Sequence, residues 1–125
     1  MRFVCANAFD YLRAAQDRHE LFDLVVLDPP AFTKTRSAVP GALRGYKEIN
    51  LRGMKLVRDG GYLVTCSCSQ HVLPGMFQEM ILDAQKDARV QLRQVEFRTQ
   101  GRDHPILPSS PETQYLKCGI YQVFH

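Results

Sequence analysis

Leu24-Val25-Val26-Leu27-Asp28-Pro29-Pro30-Ala31-Phe32 is an unbroken apolar run that stops at a carboxylate and two prolines. Leucine and β-branched residues without alternation are the pattern of a parallel strand covered on both faces. Pro29 and Pro30 donate no ladder hydrogen bond, so pairing ends there and the backbone stiffens just beyond. Open α/β sheets place their ligands outside the carboxyl ends of parallel strands. The acidic turn at Asp28 is therefore expected to belong to a site rather than to a plain connection.

Working outward, residues 2–5 have the composition of a strand end and residues 8–18 that of a helix. The run Phe22–Leu27 is the next strand, and residues 33–41, with Ser, Pro and Gly among basic side chains, read as a loop. Leu43, Tyr46, Ile49, Gly53, Leu56 and Val57 recur at helical spacing, and Asp59-Gly60-Gly61 closes that helix with a turn. Residues 62–65 form a short buried strand. Leu73, Met76, Phe77, Met80, Ile81 and Ala84 make one apolar helical face, so Met76, Phe77 and Met80 are assigned to the core. Val90, Leu92, Val95 and Phe97 suggest a further strand, residues 116–124 the last one, and residues 99–113 are rich in turn formers. Strand–helix alternation of this kind predicts an α/β layered architecture with right-handed crossovers.

A chain of 125 residues, 45% hydrophobic and 23% charged, is one ordinary globular unit and not a disordered segment. Its net charge of +3 is compatible with a nucleic-acid substrate but far too mild to demand one. No apolar run approaches bilayer length. Cys5, Cys66, Cys68 and Cys118 lack the spacing of a disulfide framework, so a reduced, cytoplasmic setting without a membrane partner is expected. No G-x-G-x-x-G pattern occurs, and mid-sheet sequence begins almost at residue 1. The expected fold is thus a partial Rossmann-like sheet with flanking helices, its N-terminal strands and glycine-rich motif missing.

Leu63-Val64-Thr65-Cys66-Ser67-Cys68-Ser69-Gln70 ends a second buried strand, which should bring its last residues beside the Asp28 turn. A cysteine there can act as a nucleophile if its thiolate is stabilised. It can equally be a small buried packing residue, as most free cysteines are. Metal binding by Cys66, Cys68 and His71 is a third reading, although structural zinc usually takes four ligands at C-x₂₋₄-C spacing. Residues two apart on a strand face the same way, so spacing leaves Cys66 and Cys68 unresolved.

Asp28-Pro29-Pro30-Ala31-Phe32, Arg44-Gly45-Tyr46-Lys47-Glu48-Ile49-Asn50, Ser67-Cys68-Ser69, Asp103-His104-Pro105 and Tyr115-Leu116-Lys117 occur in that order. Together they resemble the C-terminal half of class I S-adenosylmethionine-dependent methyltransferases that make 5-methylcytosine in large-subunit ribosomal RNA, of the RlmI-like family. The resemblance covers essentially the whole chain, so residues 1–125 would be the C-terminal part of such a domain. It implies that Asn7, Ala8 and Phe9 meet the cofactor's adenine, with an N-cap as the competing role for Asn7. It also implies that Asp28 and Pro29 line the cleft between cofactor and base. Cys68 matches the family nucleophile, while Thr65-Cys66-Ser67 resembles the form found in other RNA cytosine methyltransferases.

What the resemblance implies chemically is an enzyme using S-adenosylmethionine, no metal, and a thiolate that adds to cytosine C6 so that C5 can attack the sulfonium methyl. Asp28 would favour protonation at N3 on the Watson–Crick edge. The base must be flipped out or single-stranded to be reached. Pro30, Phe32 and His104 would shape the base pocket, and Lys34 and Arg36 could meet phosphates. A solvated basic loop is the plainer reading of that last pair, packing the plainer reading of Tyr46, and a turn residue the equal alternative for His104. Two alternatives stand: a related guanine-N methyltransferase of ribosomal RNA without covalent catalysis, and a non-catalytic remnant that binds RNA or a partner. An unpaired edge near Arg2 would further suit a homodimer.

Overall fold

Asn7 starts the first regular element: its side-chain oxygen accepts the Asp10 N–H at 3.2 Å, capping helix α1 (Ala8–Asp17). Strand β1 (Phe22–Leu27) follows, and Pro29 and Pro30 end it as expected. The computed structural model describes residues 1–33 and 35–125, so the phosphate contact expected at Lys34 lies outside the described residues. Helix α2 (Val39–Leu56) begins inside the segment expected to be a loop, because Pro40 suits a first helical turn, where its missing N–H has no partner to lose. After strand β2 (Val57–Ser67), Pro74 likewise opens helix α3 (Pro74–Ala88). Arg89 closes α3 in the left-handed region at φ 58. Strands β3 (Gln91–Arg98) and β4 (Lys117–Phe124) complete the chain.

The four strands stand in the order β1-β2-β4-β3. β1 runs parallel to β2, whereas β4 is antiparallel to both β2 and β3. The last strand is thus inserted between two earlier ones, a placement that alternation along the chain does not reveal. The Asp59-Gly60-Gly61 turn exists but lies within β2, where Gly60 takes φ 83 and the pairing with β1 jumps from Phe22↔Val57 to Leu24↔Tyr62. A Cβ on Gly61 would lie 2.7 Å from the Asp23 carbonyl oxygen, so only glycine lets the strands close up there.

From Gly61 along β2, and throughout β4, burial alternates. Leu63, Thr65, Ser67, Lys117, Tyr121 and Val123 are buried beneath the helices. The opposite face, with Val64, Cys66, Cys118 and Ile120, is only half-covered. The expectation that β1 is buried on both faces is therefore corrected: Leu24 and Val26 are 55% and 57% exposed, since no described residue covers that side. Residues 2–5 form no strand either; with neither face covered, pairing there would bury little apolar area. Phe77, Met80, Ile81 and Ala84 are buried as the helical period predicts, but Met76 is 37% exposed. The apolar stripe of α3 is wider than the surface it packs on, and Met76 falls at its margin.

Candidate active site

Leu27 pairs with Thr65, so the Asp28 turn and the residues after β2 leave the sheet side by side. Asp28 and Pro30 are exposed there and Pro29 is half-buried. Cys66 sits on the half-covered face opposite its cross-strand partner Cys118. Burial, reinforced by a hydrogen bond with Cys118 and by the Asp28 carboxylate, pushes its thiol up to about 12. Cys66 is thereby held as a neutral thiol. Cys68 lies beyond the strand end and opens into a cleft of about 780 Å³ whose walls include Thr33, Gln70, His104 and Tyr115. The two cysteines that spacing could not separate therefore occupy different surroundings.

A buried polar chain fixes the segment that carries Cys68. Thr65 Oγ1 donates to Asn50 Oδ1 at 2.5 Å, and Asn50 Nδ2 donates to the Tyr46 carbonyl at 2.8 Å. The Tyr46 hydroxyl reaches Ser69 Oγ at 2.5 Å, and the Ser69 N–H donates to Ser67 Oγ at 3.4 Å. From the other side, Lys117 Nζ donates to the carbonyls of Ser69 and Tyr115, each at 2.7 Å. Lys117 is fully buried, and that burial pulls its amine down to about 8, with the Cys68 thiol acting in the opposite sense. Asn50, Thr65, Ser69 and Lys117 had no assigned role in the sequence reading. The available signal was a lone cation opening the mostly apolar residues 117–124.

The remaining expected residues divide. His104 lines the Cys68 cleft, 3.5 Å from the Asp103 carboxylate and edge-on to Tyr115. Phe32 turns away from it and packs between Phe9 and Tyr46, with ring centroids 6.0 and 4.6 Å apart. Arg36 lines a neighbouring cleft that shares Gln70 and Glu112 with the first and also holds Met76. Asn7 caps α1, while Ala8 borders an apolar cleft of about 280 Å³ over Val25 and Leu27. Among the described residues no group of three His, Cys, Asp or Glu is placed to hold a metal, so Cys66, Cys68 and His71 do not converge as ligands. Nor is any helix there long and apolar enough to cross a membrane.

No family model matches the chain. Among solved structures, a methyltransferase complexed with SAH superposes with a TM-score of 0.80 at 17% identity, over 95% of this chain and 30% of that one. A SAM-dependent methyltransferase from Streptococcus mutans gives 0.79 at 17% identity, again over 95% and 30%. The fold is that of the Rossmann-like, SAM-dependent methyltransferases. Sequence narrows this further. Ribosomal RNA large subunit methyltransferase I of Citrobacter koseri is 44% identical over 115 residues, which is 92% of this chain. The protein of the same name from Photobacterium profundum is 43% identical over the same length. The chain is a homologue of part of these proteins and spans 29% of their length.

Proposed function

We propose that these residues form part of the catalytic domain of a methyltransferase that moves a methyl group from S-adenosylmethionine to C5 of a cytosine in large-subunit ribosomal RNA, with Cys68 as nucleophile. The observation that carries this reading is the position of Cys68, open to a cleft wide enough for a flipped base. The name of the relatives supplies the substrate class. A ribosomal substrate also implies a cytoplasmic enzyme.

The cofactor's adenine suits the apolar cleft at Ala8, beside Asn7 and Phe9, because its walls are Ala6, Tyr11, Leu12, Val25 and Leu27. Asp28 and Pro29 would border it on the side of the base. When bound, S-adenosylmethionine supplies an electrophilic methyl group. The chain's own part is to prepare the acceptor. The Cys68 thiolate forms a bond to cytosine C6, and the displaced π electrons raise the nucleophilicity of C5. A proton taken up at N3 neutralises the charge that the addition pushes there, and the Asp28 carboxylate would hold that N3–H. Loss of the C5 proton to a base then restores the C5–C6 double bond and expels the thiolate. His104 and Pro30 flank the base, and Arg36, in the adjoining cleft, faces the backbone of a neighbouring nucleotide.

A large-subunit ribosomal RNA fragment carrying 5-fluorocytidine tests this directly. Fluorine cannot leave as the proton does, so a covalent complex should accumulate in the presence of S-adenosylmethionine and map to the Cys68 peptide. Cys68→Ala should abolish the complex and Cys66→Ala should retain it. Methyl transfer that survives Cys68→Ala would favour the guanine-N alternative. Absence of saturable S-adenosylmethionine binding by calorimetry would favour a non-catalytic remnant.

A further inference from the structure

Lys117 is an unusual residue to bury. It is fully enclosed, it makes no ion pair among the described residues, and its hydrogen-bond acceptors are two neutral carbonyls. An ammonium taken from water without a counter-charge costs several kcal/mol, and a methionine of similar length would carry no such penalty. Perturbed titratable groups of this kind cluster at functional sites. The ionisable group near enough to bias Lys117 is the Cys68 thiol. Asp103, His104 and Glu112 line the same cleft but are exposed to water.

The same lysine also closes a clamp. Ser69 is gripped at three points: Tyr46 at its hydroxyl, Ser67 at its N–H and Lys117 at its carbonyl. Cys68 therefore hangs between two serines whose positions are set by α2, β2 and β4. Resting on the reading of Cys68 as a reactive thiol, we propose that Lys117 is a positioning residue that, together with Tyr46, pins the segment 67–69 and supplies the charge that balances the Cys68 thiolate. The ammonium is anchored on the carbonyl of Ser69, one residue from Cys68, so its charge is held beside that thiol.

Alkylation by iodoacetamide reads the thiolate without substrate or cofactor, and the exposed Cys5 provides an internal reference within the same molecule. Peptide mass spectrometry should find Cys68 modified faster than Cys5 at neutral pH in the unaltered protein. Lys117→Gln keeps N–H donors for the two carbonyls but removes the charge; it should preserve the melting temperature while slowing Cys68 relative to Cys5 by about tenfold. Tyr46→Phe keeps the charge and frees the Ser69 hydroxyl, so its effect on the same ratio should be smaller. A Cys68 no faster than Cys5 in the unaltered protein overturns the proposal whatever the variants do, as does an unchanged ratio in folded Lys117→Gln. Methyl transfer that persists in Cys68→Ala would instead sink the cytosine-adduct reading and leave the lysine–thiol coupling standing.

Discussion

Cys66 and Cys68 illustrate how strongly two like residues diverge when the backbone places one within a sheet and the other just past its end. Cys66, with its thiol pushed up to about 12, has a readable consequence for stability. Its ordinary value is 9.0, so the neutral thiol's contribution to the fold is complete below pH 9 and is lost as pH rises toward 12. Tyr121, raised from 10.0 to about 12 by burial, adds a second loss that begins one unit higher. Lys117 acts with the opposite sign: the cost of burying its charge is present below pH 8 and fades between there and 10.5. Melting temperatures measured across pH 8 to 11 should accordingly hold or rise slightly at first and then fall. In Cys66→Ala the fall should begin nearer pH 10, where Tyr121 takes over; an unchanged profile would contradict the assignment.

At the scale of elements, the close approach of α2 to β1 rests on a residue without a side chain. A Cβ on Gly53 would lie 2.8 Å from Leu27 Cδ1, well inside contact distance. Gly53→Ala sets about 1 kcal/mol of gained helix propensity against displacement of the Leu27 methyl, so chemical denaturation should find a net change within about 1 kcal/mol. The bulkier Gly53→Val should destabilise by about 1–3 kcal/mol. Most elements here were legible from sequence because their signals are local: the 3.6 period of α2 and α3, the apolar run of β1, the prolines after it. The misreadings have physical causes as well. Residues 2–5 look like a strand in composition but have nothing to pair with. Pro40 and Gly41 resemble loop residues until a helix is seen to start at Val39. The site was legible only at its rim. Asp28 and Cys68 stand just past the ends of two apolar strand runs, whereas the Thr65–Asn50–Tyr46–Ser69 chain joins residues far apart in sequence and leaves no periodic trace.

For the whole molecule, the decisive asymmetry is a sheet with helices on one face. Leu24, Val26 and Tyr62 are 55%, 57% and 43% exposed on the other. Among the described residues β1 also presents an unpaired edge, at residues 22–27 rather than near Arg2. An apolar face that continues to a free edge is a surface that seeks cover. Sedimentation or light scattering of these 125 residues should therefore show self-association that grows with concentration. Leu24→Lys with Val26→Lys should suppress it without lowering the melting temperature, because neither side chain contributes to the buried core. A monomer at millimolar concentration would refute this expectation. Strand order itself was beyond reach of the sequence, since the insertion of β4 depends on which edges lie open once β1, β2 and β3 are in place.

The missing side chain at position 53 has a reach beyond its own contact. Tyr46 lies two turns earlier on the same stripe of α2, about 10 Å along the axis, and its phenol reaches Ser69. A methyl group at 53 would press on the Leu27 side chain at the end of β1, and whatever shift of α2 it caused would be carried along one helix toward Tyr46 and its contact with Ser69. Of the three glycines in α2, Gly53 is the one set against Leu27, so the end of the Asp28 strand and the Tyr46–Ser69 contact share one support.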